Sequence, residues 1–221
     1  MNKISSQDRS ALIRLASSLP AGSSEKKAIL AVLKTSAGEF NVPGKNILDN
    51  ARVLGKARVH GNAVLSGNAQ LDHTASVEGT ASVSDNARVF GNAAVYGAAR
   101  VYGKAKVSGD TQVFDNAQVY GDAQIAEAAH VYGNAKVYGK ADVSEFVYVS
   151  DNAQIYGAAQ VSGNVSVSGR AKIYGNAEVS TNAKVSGTAD ISGTAVIFGG
   201  IWDGSEGPIT SGTWMGHGVR A

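Results

Sequence analysis

Cysteine is absent from the 221 residues, which excludes a disulfide framework, a thiolate metal site and a cysteine nucleophile. Proline is scarce: there are three, with none between Pro43 and Pro208, as an uninterrupted ladder of backbone donors requires. Charge is sparse and even. Lys and Arg number 20 against 18 Asp and Glu, for a formal net charge of +2, too balanced for a nucleic-acid binder driven by bulk charge. Charged residues make up 17% and aromatics 7%, which excludes a coiled coil and a charge-rich disordered chain. The longest apolar run, Ala28 to Leu33, is far short of a membrane span. Met1 to Lys34 carries charges throughout and lacks the unbroken apolar stretch of a secretory signal.

What the chain does have is a period. From Ile47 to Ile197 every sixth residue is Val, Ile or Leu, at 26 consecutive positions without a miss. Two places before each stands a small residue, Ala51 through Ala195, with only Thr111, Val147 and Val165 departing from that pattern. Gly or Asp commonly follows the aliphatic residue by two places, and Asn, Lys, Thr or Asp by three, as in "ARVFGNA". A six-residue repeat of this kind signals a β-solenoid. Side chains alternate along a strand, so the aliphatic residue and the Ala two places earlier share one face, the interior. The Gly-Asn or Gly-Lys pair is expected to turn the chain, because Gly and Asn accept positive φ at little cost. Three hexads make an 18-residue coil. The expected architecture is an all-β solenoid of about eight triangular coils, on the order of 40 Å long.

This stretch resembles the hexapeptide-repeat superfamily. Its "GNAxV[YS]G" form is similar to the long, loop-free bacterial and phage members, many of them described as transferases. The resemblance covers roughly two-thirds of the chain. It implies a left-handed parallel β-helix and a trimer, and it departs from the acyltransferase pattern in placing Gly two places after the aliphatic residue. Three segments are expected: 1–40 as a helical arm or N-terminal cap, 41–199 as the β-helix, and 200–221 as a small C-terminal β cap.

In an 18-residue coil, residues 18 apart stack. One outward column then holds five tyrosines in succession, Tyr102, Tyr120, Tyr138, Tyr156 and Tyr174. A second holds Tyr96, Phe114 and Tyr132, flanked by Ser150, Ser168 and Ser186. Tyrosine joins a large apolar body to a polar tip and has little rotamer entropy to lose, which suits it to protein contacts. The columns are therefore candidate interfaces of a homo-oligomer, a trimer or a filament, and equally candidates for simple self-stacking. Arg100, Gln118, Lys136, Gln154 and Lys172 flank the tyrosines, a mildly basic strip suited to an acidic or polar partner. Base stacking on it is conceivable, but the corners add only Lys104 and Lys140. Serine rows such as Ser144, Ser162 and Ser180 lie beside mixed Asp142, Gln160 and Glu178, unlike a flat ice-binding face.

Catalysis finds little to stand on. The four histidines are His60, His73, His130 and His217, and none has a neighbour spaced as a base and its orienter. An acyl-CoA-dependent acyltransferase is the alternative the resemblance carries, with His73 or His130 as base. No insertion breaks the register to wall a coenzyme pocket. Asp72, Asp85, Asp115 and Asp151 sit singly at corners, where Asp is an ordinary turn residue. No cofactor, metal site or catalytic residue is expected.

The ends differ from the middle. "SSQDRSALIRLASSLP" reads as a helix capped by Ser5 or Ser6, with Leu12, Leu15 and Leu19 on one face. "AGSSEKKAILAVLKTS" reads as a second, capped by Ser23 or Ser24, with Ile29 and Leu33 apolar. Two short amphipathic helices are marginal alone, so they form either a lid on the first coil or an arm docking onto other assembly or virion proteins. The leader "LIRLASSLPxGSxEKxAILAxLK" is similar to one carried by diverse phage structural proteins; with no secretory signal visible, a cytoplasmic or virion location is expected. In the tail, Trp202 and Trp214 are expected on two short strands joined by a Ser205–Pro208 turn, as a cap or as a glycan-stacking pair. The function expected from all this is a non-enzymatic structural or assembly protein.

Overall fold

The computed structural model describes residues 46–216, 219 and 220, together with positions 12, 15, 16, 18, 19, 23, 25, 26 and 29. The chain divides into two compact units, Met1–Gly44 and Lys45–Ala221. The second unit is an all-β parallel solenoid of about nine turns. Three sheets run along it. The first has 11 strands beginning at Arg52–Val53, the second nine beginning at Arg58–Val59, and the third eight beginning at Val64–Leu65. As far as Val196–Phe198, successive strands of each sheet are parallel and offset by 18 residues, as in Lys106↔Gln124 and Gln118↔Lys136.

The hexad explains each part of the coil. The aliphatic residue and the small residue before it point inward, and from Ala63 to Ile197 every one of them is buried. An interior this narrow admits Ala but no polar group without a partner. Thr111 is the one polar residue in the small column, and its hydroxyl donates to the Ser108 carbonyl at 2.6 Å. The first coil, at Ile47, Ala51, Val53 and Val59, is only partly buried.

Every corner is turned by a single residue, the second after the aliphatic position. All 26 of these residues have φ between +56° and +85°; 18 are Gly and eight are not. The asparagine that follows does not share this conformation, contrary to the expectation that Gly and Asn both supply it. Asn instead works between coils. Asn68 Nδ2 donates to Asn86 Oδ1 at 3.1 Å, and Asn50, Asn116 and Asn134 do the same to their successors at 3.4 Å. Where the corner residue is Asp, its carboxylate accepts the N–H of the glycine 18 residues on. Asp49, Asp85, Asp115 and Asp151 reach Gly67, Gly103, Gly133 and Gly169 at 2.9 to 3.2 Å.

The tail corrects the expected hairpin. Ile201–Trp202 adds to the second sheet beside Lys184–Val185, Ile209 bridges Ile191, and Thr213–Met215 adds to the first sheet beside Val196–Phe198. The two tryptophan strands thus lie in different sheets as parts of one further, irregular turn. This is why the solenoid has about nine turns and not eight. Val219–Arg220 then pairs antiparallel with Thr213–Met215 and terminates the first sheet.

In the first unit, Ala16 is buried and Leu15 exposed, while Leu12, Leu19 and Ile29 are half-buried. The Lys26 N–H donates to Ser23 Oγ at 3.3 Å. Leu33 lies outside the described residues.

The stacked corners generate a test. A Cβ on Gly121, at φ +73°, would stand 2.9 Å from Gly139 N and 3.0 Å from its carbonyl oxygen. Gly121→Ala should cost about 1–3 kcal/mol, combining the left-handed penalty with this crowding. Asp151→Gly should change stability by less than ~1 kcal/mol, since it relieves the same penalty while losing one hydrogen bond. Denaturant midpoints of the two variants check the order.

Candidate interaction faces

The aromatic columns stack as the 18-residue spacing predicts. Tyr102, Tyr120, Tyr138, Tyr156 and Tyr174 lie on the third sheet with ring centroids 4.8 Å apart and planes within 4° of parallel. Tyr96, Phe114 and Tyr132 stack on the second sheet at 4.9 Å and 2°. Parallel strands of one register put identical positions over one another at the strand spacing, so the rings have nowhere else to go.

This geometry decides what the columns can recognise. Each ring face is covered by the next ring, so within a column only edges and hydroxyls look outward. Base or sugar stacking would have to occur at the column ends. Burial raises the pKa of Tyr102, Tyr120, Tyr138, Tyr156 and Tyr96 above 10.0, which keeps those phenols protonated as donors. For Tyr120 and Tyr156 the neighbouring tyrosines push the same way. Among the described residues, only Tyr138 in the five-ring column uses its hydroxyl within the chain, towards Gln154 Oε1 at 3.4 Å.

A third stack was not evident from the sequence columns, which followed only the residue after each aliphatic position. His130 and Tyr148, each one place before an aliphatic residue, stack at 5.0 Å and 2° on the second sheet. Two residues before Tyr148, Phe146 is 60% exposed. The signal was available in "SEFVYVS", where Glu145-Phe146 replaces the usual Gly-Asn corner.

The three described histidines, His60, His73 and His130, lie apart from one another. His73 turns a corner at φ +61°. The Asp72 carboxylate accepts the His73 backbone N–H at 2.6 Å, while its imidazole Nδ1 is 3.8 Å away. His60 is exposed and His130 is engaged with Tyr148; His217 lies outside the described residues. Among the described residues, no group of three or more His, Cys, Asp or Glu could hold a metal ion.

The tryptophans plug the end. Trp202 is fully buried, its indole N–H donating to the Gly199 carbonyl at 2.7 Å. Trp214 meets it edge-on, with centroids 5.9 Å apart at 87°. A buried indole has no face for a sugar, so Trp202 serves the last turn of the core. The corresponding interior positions one turn earlier, Val185 and Ile197, are smaller, and the bulk of two indoles closes the interior.

Two outcomes are expected from these sites. Trp202→Ala should cost about 3–5 kcal/mol and release amide protection first in residues 196–216, measured by hydrogen exchange. For the tyrosine ladder, a phenol with a folded-state pKa above its unfolded value of 10.0 contributes stability that is whole below pH 10.0. That contribution falls as pH rises through the folded value. Phenolate absorbance should therefore appear later in the folded chain than in denatured chain, with stability declining over the same interval.

No family model matches this chain, and no curated protein matches it at significant similarity.

Proposed function

We propose that this chain is a structural or assembly protein, a left-handed β-helix of triangular coils that associates with copies of itself through its aromatic-bearing faces. The observation that carries this reading is the unbroken tyrosine stack on the third sheet, five rings long at 4.8 Å, standing on an interior filled at every level. Such a face offers large, pre-ordered contact area with little side-chain entropy left to lose. The handedness and coil shape follow the resemblance to hexapeptide-repeat proteins. The N-terminal unit, read as a helical pair started at Ser23 for its second member, would be the arm that attaches the solenoid to a larger assembly. The similarity of that leader to those of phage structural proteins favours a virion.

Light scattering and negative-stain imaging of the full chain test this reading. A defined oligomer is expected. Changing Tyr102, Tyr120, Tyr138, Tyr156 and Tyr174 to Ser should reduce it to the 22.6 kDa monomer with the circular dichroism of the solenoid retained. A monomer for the unaltered chain at all concentrations would overturn the proposal.

A further inference from the structure

The outward residues of the first and third sheets carry a pattern that neither sheet needs for its own packing. On the third sheet, the tyrosine column is flanked by Arg100, Gln118, Lys136, Gln154 and Lys172. Cations therefore recur every second coil with glutamine between. On the first sheet, six residues later in each coil, the corresponding column reads Lys106, Gln124, Asp142, Gln160 and Glu178. Its two acids, Asp142 and Glu178, stand two coils apart with glutamine between, while Lys106, two coils before Asp142, is a cation. Lys136 shares a coil with Asp142, and Lys172 with Glu178.

Bulk is complementary too. In the five coils where the third sheet presents tyrosine, the equivalent position of the first sheet is Ser108, Ala126, Ser144, Ser162 and Ser180. One coil before and one coil after, the sizes exchange: Ser84 and Ser192 on the third sheet correspond to Phe90 and Phe198 on the first. The second sheet matches less well. Its Phe114 and Tyr132 fall in coils where the third sheet carries Tyr102 and Tyr120, so bulk would meet bulk there. Ser150, Ser168 and Ser186 do accompany Tyr138, Tyr156 and Tyr174, but the column beside them reads Gln112, His130, Tyr148, Ser166 and Lys184, with no acid to receive Lys136 and Lys172.

We infer that the third sheet of one copy packs against the first sheet of a second copy, with the two solenoid axes parallel, pointing the same way and at nearly equal height. The inference rests on the proposed self-association and specifies its faces and register. Two chains that circulate in the same sense run in opposite directions where they touch. Each tyrosine then lies opposite the residue before the aliphatic position on the partner copy. Tyr120 meets Gln124, Tyr138 meets Asp142, Tyr156 meets Gln160 and Tyr174 meets Glu178. Every one of these is an acceptor for a phenol. Conversely, Lys136 and Lys172 lie over Ser144 and Ser180, with Asp142 and Glu178 two residues away on the same strand.

Among the described residues, Lys136, Lys172, Asp142 and Glu178 make no ion pair, and the hydroxyls of Tyr102, Tyr120, Tyr156 and Tyr174 donate to none of them. The Tyr138 hydroxyl, which donates to Gln154 Oε1 at 3.4 Å, would exchange that partner for Asp142. The match lapses at Tyr102, which would face Lys106 with Arg100 beside it. The contact is therefore centred on the four coils from Gln118 to Ser180. Because different faces meet, the interface is heterologous, and copies at equal height build a ring around an axis parallel to the solenoid.

Charge exchange tests the pairing in the full-length chain. Lys136→Glu with Lys172→Glu places like charges beside one another across the contact, as does Asp142→Lys with Glu178→Lys. Each pair should raise the dissociation constant by about a hundredfold or more, read by sedimentation equilibrium. All four substitutions in one chain restore opposite charges and should bring back the oligomer of the unaltered chain. Ser144→Tyr with Ser162→Tyr should also abolish assembly while leaving circular dichroism unchanged, since both side chains point outward. If the unaltered chain is an oligomer but either charge pair leaves its mass unchanged, or the fourfold exchange fails to restore it, this pairing is wrong while self-association stands. An unaltered chain that is monomeric removes both.

Discussion

Residue n lies over residue n + 18, and the parallel backbone ladder that holds it there leaves one strand spacing between them. That constraint governs the remainder of the solenoid. Inward, it admits only a column of small residues and a column of aliphatic ones, because larger side chains at every level would overfill the bore. At the corners it brings backbone within 2.9 Å of where a Cβ would stand, so glycine dominates there. Outward, it turns each sequence position into a column, and any chemistry the chain displays is displayed as a row.

Rows behave differently from isolated residues. A lone exposed tyrosine offers two faces and an edge, whereas a stacked one offers an edge and a hydroxyl. A lone surface lysine is worth little, but a lysine recurring every second coil with acids recurring at the same interval on another sheet forms a periodic code. Ligand pockets are usually concave and few; a straight solenoid without insertions provides extended faces instead.

Most of the fold could be read from the 26 aliphatic positions, because each enforces an inward-facing side chain at a fixed interval and leaves few alternatives. The ends could not be read as well. Past Ile197 the spacing between interior residues becomes irregular, at Trp202, Ile209 and Trp214, and hydrophobic periodicity no longer reports sheet membership. Two tryptophans 12 residues apart look like partners in a hairpin, yet they belong to different sheets, because strand pairing here is decided by the turn beneath and not by the nearest sequence neighbour. The asparagines misled for a similar reason. Asn tolerates positive φ in general, but the preceding residue had already made the turn, leaving its amide to bond between coils. The tyrosine columns were legible because the hexad register placed them. The His130–Tyr148 stack lay one position off the column that was followed.

The same register makes the solenoid a graduated object. Lengthening it by 18 residues would add one step of the ladder and leave every column on its own sheet. Lengthening it by six would carry all later columns round to the next sheet, so the tyrosines beyond the insertion would leave the row they belong to. Only steps of 36 would preserve both the tyrosine row and the alternation of Lys136, Gln154 and Lys172 beside it. Length in such a chain is therefore quantised, and the quantum for its decorated surface is twice that for its core.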